Sequence, residues 1–376
     1  MSENASNRKD DHVRLAHSFH DVSTSLGERR AFDDVDFVHH ALAGVDVEEV
    51  DISATVLGDR WSNPFYINAM TGGSLYTGEI NAVLAEAAAA TGTAVASGSM
   101  AAYLKDPETA ASFRVLRTRN PKGFVAANIN PNYPVEQVRR VVDLLEADAL
   151  QIHVNLVQEL IMGEGDRTFS HWIRNIASIV DAMSVPVIVK EVGFGLSAKT
   201  LHSLVDVGIE TVDVSGTGGT NFAAIEDNRK EDGAPRFDYL HGWGQSTPLA
   251  LIEADQRGPI VTRLASGGVR SPLDVAKCLA LGAQAAGVSA SFLASALRTG
   301  SDGLISEINR WRGELTSIYS LVGAQSTPDL SRTDLVLTGR LRDISVAHAL
   351  EPNAYVNRTD THGSPRTTPI REVLAQ

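Results

Sequence analysis

Cysteine is almost absent from this sequence of 376 residues, in which Cys278 is the single example. One cysteine cannot form an internal disulfide, which fits a reducing cytoplasm. Cys278 lies in LDVAKCLALGA, a segment whose apolar pattern is helical. We therefore expect a core position for this thiol rather than a nucleophilic role.

Long apolar runs and positive charge are also lacking. No run of about 20 apolar residues occurs, which excludes a membrane span, and the polar, charged N-terminus does not resemble a secretory signal. The chain has 33 Lys and Arg against 46 Asp and Glu, a net charge of -13. This balance argues against nucleic acids and anionic lipid surfaces as partners. An anionic substrate would therefore need local cations or a metal ion.

Eight short apolar segments rich in β-formers recur after residue 60, and stretches with helical periodicity separate most of them. Strands that alternate with helices indicate βαβ units and a parallel sheet. Eight such units predict a closed TIM (β/α)8 barrel of the α/β class. The segments are FYINAM (65–70), TAVASG (93–98), FVAANI (124–129), ALQIHV (149–154), PVIVKE (186–191), TVDVSG (211–216), IVTRLASGG (260–268) and AAGVSA (285–290).

The domain organisation follows from these segments. Residues 1–60 are predicted to be a polar, mobile arm and a lead-in, and residues 61–300 the barrel. Residues 301–350 form a helical extension with an amphipathic helix over 303–323. Residues 351–376, rich in Pro, Thr and Arg, are predicted to be a disordered tail. The long interval 217–259 indicates an extended loop on the catalytic face.

The carboxyl ends of the predicted strands carry the chemistry. Functional groups of a (β/α)8 barrel lie at these ends, and here every end is polar or rich in glycine. Glycines let backbone N–H groups surround an anion, and helix N-termini add a favourable dipole. The alternative is an ordinary tight turn. A cofactor phosphate is predicted at Gly267, Gly268, Ser289 and Ala290, with Ser215 and Thr220 from the sixth strand directed at the same corner.

Four more residues at or just after strand ends are predicted to have catalytic or metal-binding roles. Lys190 ends the buried strand PVIVK, where a lysine is costly unless it meets an anion. A pair with Glu191 is poor because neighbouring strand residues point to opposite faces, so Lys190 is expected to face the site. His153 and Asn155 share one face of a strand, although a core histidine remains the alternative. Glu159 is a hard oxygen donor suited to Mg²⁺.

The cluster RKDDH (8–12) has two interpretations. It is either a charged patch on a solvated tail, or a source of cations for a phosphorylated substrate.

From residue 8 to about 340 the sequence resembles the type 2 isopentenyl diphosphate isomerases. The most specific matching segments are HVN..QE (153–159), KEVGFG (190–195) and GTGGTNF (216–222). The resemblance implies a 1,3-proton shift between isopentenyl and dimethylallyl diphosphate in isoprenoid biosynthesis. It also implies reduced FMN as acid and base, Mg²⁺, NADPH as the reductant, no net redox change, and a homo-oligomer of four or more chains.

The resemblance also implies roles for individual residues. Lys190 would stabilise negative charge on the reduced flavin ring, and Gln158 would orient the substrate, because an amide is no acid at neutral pH. FMN would contact Met70, Thr71, Gly72, Ser99, Asn128, Lys190, Ser215, Thr220, Gly267, Gly268, Ser289 and Ala290. Substrate binding and catalysis would use Arg8, Lys9, His12, His153, Asn155 and Gln158, with Glu159 on the metal.

The sequence departs from the family pattern at four positions. Met100 and Ala101 follow Ser99 where the family carries Gln and often Arg, Gly163 replaces a usual Pro, and Asn130 a common Gly. Met100 and Ala101 leave open a flavin-binding paralogue that has lost isomerase activity and serves as a sensor or scaffold. A second alternative is an FMN-dependent 2-hydroxy acid oxidase. It would need a His base and an Arg, which the segment SGTGGTNF (215–222) lacks.

Overall fold

The computed structural model describes residues 10–16, 18, 30–229 and 236–361. Eight parallel strands close into one barrel, and each strand pairs with its neighbours in chain order until the eighth meets the first. The predicted (β/α)8 barrel is therefore confirmed. All eight strands lie within the predicted segments: Phe65–Ile67, Ala94–Ala96, Val125–Ile129, Ala149–His153, Val187–Lys190, Thr211–Asp213, Thr262–Ser266 and Ala285–Val288.

Helices pack around the barrel, and local sequence sets their ends. The first, Leu75–Thr91, begins at Ser74, whose hydroxyl accepts the Thr77 N–H, and ends at Gly92, whose φ of 65° suits glycine. The other helices between the barrel strands are Ala101–Lys105, Ala110–Arg119, Val135–Leu145, Leu156–Ile161, Trp172–Ala182, Ala198–Val205, Phe222–Asn228, Thr247–Arg257 and Pro272–Ala280.

A hairpin covers the amino-terminal end of the barrel. Its strands, Ala54–Val56 and Asp59–Trp61, are antiparallel. The Trp61 ring lies 5.7 Å from that of Tyr66 and 5.0 Å from that of Phe124. This end is therefore filled by side chains, and the carboxyl end of the strands is left for a cavity.

The interval 217–259 is not the extended loop that was predicted. It contains the helix Phe222–Asn228 and a 3₁₀ turn over Asp238–Leu240, and the Thr247–Arg257 helix begins within it. The Asn221 side chain caps the first of these by accepting the Ala224 N–H at 3.1 Å. Charged residues at the end of this helix, Glu226 and Asp227, masked the helical pattern in the sequence. Residues 230–235 lie outside the described residues.

The C-terminal extension differs from the prediction at both of its ends. The helix predicted over 303–323 belongs to a longer helical run, Ala290–Val322, with non-helical backbone at Gly300. The tail is ordered beyond residue 351, because Tyr355 is buried and its hydroxyl donates to Asp255 at 2.9 Å. Residues 362–376 lie outside the described residues. The remaining elements are Thr327–Leu330, Leu335–Leu337, Gly339–Ala347, Pro352–Tyr355 and Arg358–Thr361.

Residues 10–16 are helical and pack against the barrel. Val13 and Ala16 are buried, and the Ser74 hydroxyl donates to Asp10 at 2.6 Å. The interpretation of a solvated, mobile arm is therefore wrong for these residues, since apolar side chains anchor the segment. In the part of the chain that the structure describes, no helix has both the length and the apolar character needed to cross a bilayer.

Candidate active site

A cavity of about 960 Å³ opens at the carboxyl end of the barrel strands. It brings together most of the residues that the sequence singles out, although they come from eight strands. The predicted residues that line it are His12, Met70, Ser99, Asn128, His153, Asn155, Gln158, Glu159, Lys190, Ser215, Thr220, Gly267, Gly268, Ser289 and Ala290.

Four predicted site residues are not in this lining. The Thr71 hydroxyl is hydrogen-bonded to Asn81 instead. Gly72 lies against Phe113, whose ring would be 2.1 Å from a Cβ at this position. Thr71 supports the cavity from behind, because its carbonyl accepts the N–H of the lining residue Gly98 at 2.9 Å. The other two, Arg8 and Lys9, lie outside the described residues.

Glycines from the sixth and seventh strands stack on one another at one corner of the cavity. A Cβ at Gly219 would lie 2.7 Å from the Gly268 nitrogen, and one at Gly267 would lie 2.0 Å from the Gly216 carbonyl oxygen. Gly267 and Gly268 have φ values of 94° and 79°, which strongly favour glycine. The corner thus presents bare backbone, as a phosphate cradle requires.

The fourth strand contributes an ordered row of polar side chains. His153 Nδ1 lies 2.7 Å from Asn128 Oδ1, a contact that fixes the orientation of the imidazole ring. The Asn128 amide in turn donates to Gln151 Oε1 at 3.2 Å. His153 is therefore not a plain core histidine, because it lines the cavity.

Asn155, Gln158 and Glu159 form one cluster at the start of the Leu156–Ile161 helix. The Asn155 amide donates to Gln158 Oε1 at 3.2 Å and to Glu159 Oε1 at 2.9 Å. Glu159 Oε2 accepts the Asp166 N–H at 2.8 Å. These contacts orient the Glu159 carboxylate toward the cavity wall. Among the described residues, no three His, Cys, Asp or Glu side chains are grouped to hold a metal ion.

Glu226 belongs to this cluster, although the sequence analysis gave it no role. The Gln158 amide donates to Glu226 Oε1 at 2.8 Å, and His12 Nε2 lies 2.9 Å from the same oxygen. Burial alone would raise the pKa of Glu226, but its polar and charged partners outweigh burial and lower it. In the sequence, Glu226 follows apolar residues in FAAIE (222–226). This pattern indicates a buried acid only once the segment is known to be helical.

Lys190 is buried and lines the cavity. Its ammonium group donates to the Glu191 carbonyl at 2.7 Å, while the Glu191 carboxylate accepts backbone N–H groups from Val192 and the next two residues. Burial lowers the pKa of Lys190, although the charges of Asp213 and Glu191 oppose this. Burial also raises the pKa of Glu191 to about 7.

The cavity carries more positive charge than the protein as a whole. Its acidic side chains are Glu159, Glu164 and Asp166, and its basic ones are Arg30, Lys105, Lys190 and Arg270. The whole chain has a net charge of -13. Local cations therefore offset the global repulsion of an anionic ligand.

The four family departures differ in position. Met100 is fully buried in the hydrophobic core, whereas Ala101 lines the cavity. Asn130 also lines the cavity, and a Cβ at Gly163 would meet nothing within 4 Å. Only the replacements at Ala101 and Asn130 therefore alter the cavity wall.

The segment SGTGGTNF does not by itself exclude an oxidase, because a histidine and an arginine can reach the site from elsewhere in the chain. His241 and Arg270, which come from later in the chain, also line the cavity. His241 Nε2 lies 3.3 Å from Asp227 Oδ2, and Arg270 donates to the Gly218 carbonyl at 3.1 Å. A histidine and an arginine are thus present near the site.

Solved structures of similar fold are flavin oxidases. A mandelate oxidase variant with 2-hydroxy-phenylacetamide has a TM-score of 0.58 at 17% identity, covering 82% of this chain and 88% of that chain. Another variant, with a monooxide FMN adduct, has a TM-score of 0.57 at 19% identity, covering 87% and 92%. At such low identity the likeness shows the fold alone.

The sequence relatives are more specific. The model of the FMN-dependent dehydrogenase family matches residues 14–112 and 105–337. An isopentenyl-diphosphate delta-isomerase of Streptomyces sp. (strain CL190) is 49% identical over 361 residues, covering 96% of this chain and 98% of the relative. That of Nocardia farcinica (strain IFM 10152) is 50% identical over 355 residues, covering 94% and 96%. The chain therefore belongs to the isopentenyl-diphosphate delta-isomerase family, built on the barrel of the FMN-dependent dehydrogenases.

Proposed function

We propose that this enzyme interconverts isopentenyl and dimethylallyl diphosphate by a 1,3-proton shift, with reduced FMN as acid and base, in isoprenoid biosynthesis. One observation carries the proposal: a single cavity joins a glycine corner fit for phosphate to the cluster of Asn155, Gln158 and Glu159. The half-identical isomerases supply the reaction class.

The residues of the cavity fit FMN. Thr220 Oγ1 and Asn155 Oδ1 are buried and have no hydrogen-bond partner among the described residues, so each is ready for a ligand. The glycine corner would take the phosphate and Lys190 would face the ring. We propose that FMN is held by Met70, Ser99, Asn128, Lys190, Ser215, Thr220, Gly267, Gly268, Ser289 and Ala290, with Thr71 and Gly72 as their support.

When bound and reduced, FMN supplies a proton donor at ring nitrogen N5 and an electron-rich face for a cation-like transition state. The chain's own residues then need to orient the alkene and exclude water. Gln158 is suited to orientation because Glu226 fixes its amide. His153 and Asn155 would complete the substrate wall, with Arg8, Lys9 and His12 at the diphosphate.

Glu159 would hold Mg²⁺ as its one carboxylate ligand. Mg²⁺ commonly takes one or two carboxylates and completes its shell with waters and substrate phosphates. The absence of a three-ligand cluster among the described residues is compatible with such a site. We further propose that NADPH supplies the electrons that reduce FMN.

The test is an anaerobic assay with FMN, Mg²⁺ and NADPH. We expect isopentenyl diphosphate to be converted to dimethylallyl diphosphate and to incorporate one deuteron in D₂O. Adding a 2-hydroxy acid should not reduce the bound flavin, so the absorbance of oxidised FMN should stay unchanged. A loss of this absorbance would favour the oxidase. A tight FMN complex without turnover would favour the inactive paralogue. A colourless protein that ignores added FMN would contradict the proposal entirely.

We also propose a cytoplasmic homo-oligomer of four or more chains. Support comes from large apolar side chains on the surface, among them Leu42, Val47 and Leu321, each more than half exposed. Light scattering on an eluting gel-filtration peak measures the mass. A monomeric mass at micromolar concentration would contradict this part of the proposal.

A further inference from the structure

A layer of polar side chains crosses the barrel interior just beneath the cavity. Tyr66 from the first strand donates its hydroxyl to Asp213 Oδ2 at 2.7 Å, and the Ser266 hydroxyl donates to the same oxygen at 2.8 Å. Backbone N–H groups of Ser215 and Ser266 donate to Asp213 Oδ1 at 3.1 and 2.9 Å. Asp213 is completely buried. An ionised carboxylate in such a place needs a cation as well as neutral donors.

Lys190 is the basic residue on the strand beside Asp213. The two residues are register partners on adjacent parallel strands, and His153 is the partner of Lys190 on its other side. Register partners point to the same face of a sheet. The three side chains thus form one row inside the barrel, with His153 and Lys190 lining the cavity.

We propose that Asp213 is a positioning residue that keeps the Lys190 ammonium group charged and directed at the ligand in the cavity. The proposal rests on the proposed function, because the reduced flavin is the anion that Lys190 would meet. Asp213 itself acts through Lys190 and does not line the cavity.

The groups that face Lys190 support this assignment. They are Asp213 on one neighbouring strand, His153 on the other, and Glu191 on its own strand; Tyr66 faces Asp213. Burial raises the pKa of Glu191 to about 7, so its charge is incomplete at neutral pH. Burial and the charge of Asp213 raise the pKa of Tyr66 well above its ordinary value, so Tyr66 remains a donor. Asp213 is therefore the acidic side chain that faces Lys190 from the neighbouring strand.

The first test measures Lys190 directly in the purified full-length protein. ¹⁵N-lysine NMR, with the Lys190 signal assigned by its loss in Lys190→Met, follows the protonation of this amine with pH. In Asp213→Asn we expect its pKa to fall by at least one unit. An unchanged pKa would overturn the proposal. This measurement does not require flavin, so it stands even if the proposed function fails.

The second test measures how Asp213→Asn changes the midpoint potential of bound FMN. The sign of this change separates three mechanisms. At a pH above its new pKa, Lys190 should lose its charge in Asp213→Asn. The preference of the site for reduced over oxidised FMN should then weaken about tenfold, which corresponds to a change in midpoint potential of about -30 mV. A plain negative charge near the ring would instead raise the potential on removal, and a purely structural residue would leave it unchanged. Both of these outcomes contradict the proposal.

Two further variants guard against a folding defect. Asp334→Asn removes another buried carboxylate, bound to Thr359 and His40 away from the cavity, and should lower stability without changing the potential. Tyr66→Phe keeps the Asp213 charge and should shift the potential less than Asp213→Asn.

In a Lys190→Met background, Asp213→Asn should have no further effect on the midpoint potential of bound FMN. An equal shift in both backgrounds would refute a role through Lys190, and Tyr66→Phe serves if Asp213→Asn fails to fold.

Discussion

The two ends of the barrel interior carry side chains with opposite properties. At the amino-terminal end, inward positions are small and apolar, as at Ala94, Ala149 and Ala285, and Trp61 of the hairpin packs over them. At the carboxyl end, the inward positions of the same strands carry polar side chains such as His153 and Lys190. Residues two apart on one strand thus belong to different environments.

This contrast separates stability from chemistry along the strand direction. The apolar end buries mainly hydrocarbon, although the Trp61 indole N–H is buried there without a hydrogen-bond partner among the described residues. The cavity end leaves buried polar atoms such as Thr220 Oγ1 without partners, which is tolerable when a ligand satisfies them. Tyr66 and Asp213 mark the boundary between the two environments. Substitutions at the two ends should therefore affect different measurements.

The glycine corner should lose cofactor affinity when its backbone is disturbed. Gly267→Ala places a Cβ 2.0 Å from the Gly216 carbonyl oxygen at a φ of 94°. We expect FMN affinity to fall by about tenfold or more, because such strain costs 1–3 kcal/mol. Flavin absorbance per protein chain measures this. Gly313→Ala is the control, since its Cβ would meet nothing within 4 Å. Equal flavin content in both variants would contradict the cradle.

Glu159→Gln should abolish most turnover while FMN stays bound. Removing the metal's carboxylate should lower kcat/KM about 100-fold or more, because metal charge stabilisation is worth several kcal/mol. The assay is isomerisation against Mg²⁺ concentration, with the flavin spectrum as the control for folding. If activity and its dependence on Mg²⁺ survive, the metal assignment is wrong.

Leu264→Ala should affect the apolar end only. Leu264 is completely buried in the cluster beneath Tyr66, and its truncation should lower the free energy of unfolding by about 2–5 kcal/mol. Urea unfolding measures the loss, and kcat per bound flavin should change less than about twofold. A large fall in kcat at full flavin occupancy would mean that the two ends are coupled.

A pH dependence of stability is expected at Glu191. The pKa of Glu191 is about 7 in the folded protein and 4.5 ordinarily. The folded protein therefore holds this proton more tightly than the unfolded chain does. Its contribution to stability is complete below about pH 4.5 and lost as pH rises through about 7, by up to about 3 kcal/mol. The difference in unfolding free energy between the parent and Glu191→Gln should follow this curve. A difference independent of pH would show that Glu191 is ionised throughout.

Much of the site could be predicted because barrel strand ends converge by topology. Gly267, Gly268 and Ser289 were assigned from their places after strands seven and eight, and they line one cavity. The family resemblance implies that Thr71 and Gly72 contact FMN, but they pack against Asn81 and Phe113 and are not in the cavity lining. Glu226 and His241 were missed because the helix and turn that carry them come from a segment with mixed charges.

The sequence by itself determined the eight-strand barrel, the order of its strands and the family. Apolar periodicity and strand-end motifs are local patterns, so they can be recognised in the sequence without the structure. The tertiary structure alone decided which buried polar groups share a proton or a charge. Asp213 meets Tyr66 across the barrel, 147 positions away, and His12 meets Glu226. Such pairs depend on closure of the barrel and on burial, which set distance and dielectric together, and no local pattern encodes either.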